Sequence, residues 1–71
     1  MLSVNELRIL QAGLRFAQDQ IEEAEQFLGG VEPRTSGLAG QLARLKEIRL
    51  LIDDERRAVA ALLQASEAAA Q

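Results

Sequence analysis

Apolar positions in the first part of the chain recur at spacings that alternate between three and four. Leu7, Leu10, Leu14, Ala17, Ile21, Ala24 and Leu28 keep this rhythm without a miss. It is the a/d repeat of a helix that lays one stripe against a partner helix. Just before it, Ser3 and Glu6 have the spacing of a capping box, in which each side chain accepts a hydrogen bond from the other residue's backbone. The rhythm stops at Gly29-Gly30, where glycine can take the left-handed conformation that closes many helices. A first helix is expected over about residues 3–28.

Residues 29–36, with Gly37 just beyond, hold the chain's one proline and three of its five glycines, which is turn chemistry and the only break. Thr35 or Ser36 offers an N-cap for a second helix. Leu38, Leu42, Leu45, Ile48, Leu51, Ile52, Val59, Leu62 and Leu63 carry that helix over about residues 37–70, with no stop signal inside it. The expected fold class is all-α: one domain over residues 1–71, an antiparallel, coiled-coil-like two-helix hairpin. Its core would join Leu7, Leu10, Leu14, Ala17, Ile21, Ala24 and Leu28 to Leu38, Leu42, Leu45, Ile48, Ile52, Val59 and Leu63.

The charges favour that fold-back. It sets Asp19, Glu22, Glu23 and Glu25 beside Arg44, Lys46 and Arg49, and Arg15 near Asp53 and Asp54. Exposed pairs steer such pairing more than they stabilise it. Aligned from the loop, the second helix outruns the first by about two turns, ending in the Ala-rich stretch 64–71 as an overhang.

Both helices are apolar over a wider arc than one partner helix can cover. On the first, Leu2, Ile9, Phe16 and Phe27 form a line beside the a/d stripe; on the second, Leu51 and Leu62 lie to one side. Such uncovered strips mark interaction sites, so these six residues are the expected protein interface. A second copy, giving a four-helix bundle, is the economical occupant; a heterologous helix in the groove is the other. Gly13, Ala17 and Ala24 are small enough to fill a core or to let another backbone approach. Glu55 and Arg56 interrupt the second stripe between Ile52 and Val59. Either both side chains snorkel to the edge, or they make a buried polar contact that fixes register.

Size sharpens the need for a partner. A chain of 71 residues buries only about 60% of its unfolded surface and commonly relies on disulfides, metal or oligomerisation. Cysteine and histidine are both absent, which removes disulfides and the usual zinc ligands. The expected partner is therefore protein: a homo-oligomer, foremost a dimer, or a larger assembly.

Charge narrows the partners further. Eight basic residues stand among eleven acidic ones, for a net charge of -3. Nucleic-acid binders show basic stripes and aromatic stacking platforms, whereas the aromatics here are only Phe16 and Phe27. An RNA- or DNA-linked regulatory hairpin, with Arg44, Arg49, Arg56 and Arg57 as its ridge, is the alternative reading; Glu47, Asp53, Asp54 and Glu55 cancel that ridge. The longest apolar run, Ala58 to Leu63, falls far short of the ~20 residues of a membrane span, and the start lacks a basic, apolar secretory pattern. The chain reads as cytoplasmic, or as part of a virion assembled there, without a membrane partner.

Catalytic, cofactor and metal residues are not expected. Histidine- or cysteine-based triads are impossible. Gly29-Gly30 and Gly37-x-x-Gly40 lack the strand and Lys-Ser/Thr of a phosphate loop. The pairs Glu22-Glu23 and Asp53-Asp54 diverge by about 100° on a helix and cannot share a substrate. What remains is a small non-catalytic interaction or structural protein, such as an adaptor, co-chaperone, inhibitor or phage assembly component. Those roles rest on fold-level analogy.

Overall fold

In a computed structural model of the protein, residues 2–32 and 35–70 are described. Met1 and Gln71, together with Pro33 and Arg34 of the expected loop, lie outside the described residues. Two helices, α1 (Val4–Gly29) and α2 (Ser36–Ala70), make up nearly all of it, and no strand occurs among the described residues.

α1 begins where Ser3 and Glu6 close the capping box. The Glu6 N–H donates to Ser3 Oγ at 3.1 Å, and the Ser3 N–H donates to Glu6 Oε1 at 3.1 Å. Two donors orphaned at the helix start are thereby satisfied. The other end differs from expectation. Gly30, the C-cap, has φ -93° and ψ -2°, which is right-handed. The last turn instead tightens, with the Gly30 N–H donating to the Phe27 carbonyl at 3.2 Å and the Val31 N–H to that of Leu28 at 3.3 Å. These shorter i→i+3 bonds cap the carbonyls without any left-handed residue. At α2, Thr35 rather than Ser36 is the cap: its Oγ1 accepts from the Leu38 N–H at 3.2 Å.

The helices are antiparallel. Arg8 near the start of α1 meets Glu67 near the end of α2, Gln18 meets Arg56, and Glu25 meets Arg49. This register sits about one heptad from the one expected. Asp53 and Asp54 come level with Ile21 and Gln20, and their ion pairs are with Arg57 on their own helix, at 2.9 and 3.9 Å, instead of with Arg15. The overhang is displaced too. With Arg49 beside Glu25, Leu45 is level with Gly29, so the first turns of α2 run past the end of α1 toward the loop. The Ala-rich tail instead lies alongside the start of α1. The molecule's 56 Å length is close to the ~52 Å of α2 alone, as this placement requires.

The core is thin. Among the described residues only Leu7, at 2% exposure, and Val59, at 3%, are buried hydrophobics. Leu14, Ala17, Ile21, Ala24, Leu28, Leu38, Leu42, Leu45, Ile52 and Leu63 are half-buried along the seam. Leu10 and Ile48, expected in the core, are 41% and 42% exposed. Both lean toward the side of the stripe that a single partner helix cannot reach. The radius of gyration of 16.2 Å exceeds the ~11 Å of a compact chain this long.

Candidate protein-docking flank

The hairpin has two unlike flanks. Projected at about 100° per residue, Gln11, Gln18 and Glu25 form one line on α1, about 180° from the line of Leu2, Ile9, Phe16 and Phe27. The polar line faces the arginines of α2. Arg56 donates to Gln18 Oε1 across the seam. One heptad along, Arg49 Nε lies 3.1 Å from Glu25 Oε1. That N–H is not aimed at the oxygen, and neither atom has a hydrogen-bond partner, so the contact is ionic. At the far end, Arg8 donates to Glu67 Oε1 at 2.8 Å.

Arg49 and Arg56 occupy stripe positions of α2: the sequence Leu42, Leu45, Arg49, Ile52, Arg56, Val59, Leu63 alternates spacings of three and four. Of the two readings of Glu55 and Arg56, each applies to one residue. Glu55 is exposed, and Arg56 makes the interhelical contact. Gln18 was not foreseen as its partner, because a glutamine on a polar face carries no sign of what lies opposite until the register is known.

The other flank is apolar. Leu2, Ile9, Phe16, Phe27, Leu51 and Leu62 are all exposed, with Phe16 at 67% and Phe27 at 73%. Leu2 and Leu62 share a crevice floored by Leu7 and edged by Ser66, so the α1 and α2 strips lie on the same side. A second concavity, lined by Leu2, Glu6, Ile9 and Leu10, adjoins it. Leu10 and Ile48 extend this surface.

Leu50 is a further exposed leucine, at 62%, and sequence reasoning passed over it. It belongs to the opposite flank, in a hollow with Gln18, Arg49 and Asp53. The signal was present: Leu50-Leu51-Ile52 spans about 200° of helix, so one of the three had to point away from the seam.

Among the described residues no group of three or more carboxylates could hold a metal ion. Glu6 titrates below its ordinary value, lowered first by the Ser3 N–H and then by the Ser3 hydroxyl. The basic residues proposed as a phosphate ridge are largely engaged: Arg49 with Glu25, Arg56 with Gln18, Arg57 with Asp53 and Asp54. No helix is long and apolar enough among the described residues to cross a membrane. Comparison with protein-family models, curated proteins and solved structures finds no match for the chain.

Proposed function

We propose that the protein acts without catalysis, by docking other protein against the apolar flank of Leu2, Ile9, Phe16, Phe27, Leu51 and Leu62. One observation carries this reading. Among the described residues every interhelical hydrogen bond and ion pair lies on one flank, while all six of these large apolar side chains stand exposed on the other. A monomer keeping that flank in water forgoes about 25 cal/mol for each Å² of apolar surface it leaves uncovered. Adaptor, inhibitor and assembly-component roles in the cytoplasm or a virion all fit a surface of this kind.

The test is the mass of the protein in gently lysed extract of its host, by size-exclusion chromatography with light scattering. The expected mass lies well above the 7.8 kDa of the chain. Migration at 7.8 kDa in undiluted extract would overturn the reading.

A further inference from the structure

We infer that the occupant of the apolar flank is a second copy of this chain, related by a two-fold axis parallel to the helices. The two loops then sit at the same end of a four-helix bundle, with α1 of each copy against α2 of the other. The inference rests on the reading of that flank as a docking surface.

Area is the first argument. The chain exposes 5427 Å², whereas a compact monomer of its mass exposes about 4,400 Å². The excess of about 1,000 Å² is what each partner contributes to an ordinary stable interface, roughly 800 Å² a side. One more hairpin, with the same flat apolar flank, supplies the matching half.

Register settles the direction. Because Glu25 is level with Arg49 and Gln18 with Arg56, Phe27 is level with Glu47, and Phe16 with Ala58. An axis along the bundle preserves these levels. It brings Phe27 to Ile48 and Leu51 of the second copy, and Phe16 over its Ala58 beside Leu62. Glu55, the charge within the α2 strip, comes level with Asp19 of the second copy, which lies about 80° off the apolar line. Glu55 is then one residue from Gln20 of that copy, which lies on the line and can donate its amide N–H to the carboxylate. A reversed copy fits less well. The α1 and α2 strips are centred about 10 Å apart along the hairpin, at 1.5 Å per residue, so no single perpendicular two-fold centres both. Centring the α2 strip would also set Glu55 against its own copy, like charge on like charge.

The test uses the purified full chain. Sedimentation equilibrium is expected to give twice 7.8 kDa. Phe16→Glu should give monomer, or helix loss at concentrations where the parent is dimeric. Leu50→Glu, on the opposite flank, should leave mass and helicity unchanged. With cysteine naturally absent, Glu32→Cys carries one spin label per chain near each loop. Loops at one end predict a label separation of roughly 20–30 Å from bundle spacings of 8–10 Å; opposite ends predict about the 56 Å length of the hairpin. A purified monomer, equal disruption by Leu50→Glu, or the long distance overturns the proposal. A purified monomer that is nonetheless large in host extract overturns the second copy alone and leaves protein docking standing.

Discussion

Arg56 holds a place on α2 where the stripe from Ile52 to Val59 would otherwise be apolar, and its hydrogen bond to Gln18 is how that place is satisfied. Arg56 is half-buried, so the bond is partly shielded from water. Arg56→Ala should lower unfolding free energy by about 1 kcal/mol, the net value of a typical hydrogen bond, read from the urea midpoint. Glu55→Leu should leave the fold intact, because Glu55 makes no interhelical hydrogen bond or ion pair and is exposed. The capping box is legible in the residue order alone, because Ser-x-x-Glu satisfies its donors within one turn. Its charge adds a pH dependence. Glu6 titrates below its ordinary value because the Ser3 N–H, then the Ser3 hydroxyl, favours the carboxylate. A lowered folded pKa stabilises above the unfolded value and is lost as pH falls through the folded one. The first turn of α1 should therefore hold at neutral pH and fray as acid protonates Glu6, seen as lower amide protection factors there once the intrinsic slowing of exchange in acid is divided out. Equal protection factors at pH 7 and pH 3 would contradict this.

At the scale of the helix, existence and phase were legible and register was not. The three-four rhythm of Leu7 to Leu28 specifies which face of α1 meets α2. A slip of one heptad leaves every a/d position in phase, so the apolar pattern is blind to it. Polar residues carry the missing information. Along α1 the line Val4, Gln11, Gln18, Glu25 runs opposite Arg56 and Arg49, and its one carboxylate is Glu25. A slip by one heptad toward the loop would give Arg56 and Arg49 glutamine partners, but would set Glu25 against Leu42. The ion pair with Arg49 therefore distinguishes the two registers. Glu25→Gln should preserve helicity while admitting a slipped population, detected as a second set of amide resonances along α2. A single set would show that register is held elsewhere. The register is displaced from the expected one because α2, starting at Ser36, runs its first turns beyond the end of α1 instead of turning straight back. In packing, Leu7→Ala should cost roughly 2–5 kcal/mol as a core truncation, and Leu50→Ala no more than about 0.5 kcal/mol as a surface change. Comparable losses would mean that the seam is not where the burial places it.

For the whole molecule, stability and association become one quantity. A hairpin whose described residues bury two hydrophobic side chains, Leu7 and Val59, has little to set against a chain entropy cost of order 1–2 kcal/mol per ordered residue. Its ion pairs are mostly exposed, and exposed pairs add well under ~1 kcal/mol each. Covering the flank of Phe16, Phe27, Leu51 and Leu62 is the largest stabilising step still open to it. If a second copy provides that cover, folding and dimerisation are linked by mass action, and the melting temperature must depend on chain concentration. Helicity followed by circular dichroism should thus melt at a temperature that climbs with each tenfold rise in concentration. Phe16→Glu should flatten or abolish that climb, whereas Leu50→Glu should retain it. A melting temperature independent of concentration over three decades would mean that the two helices hold each other unaided. The thin seam of half-buried side chains would then be stronger than its burial implies.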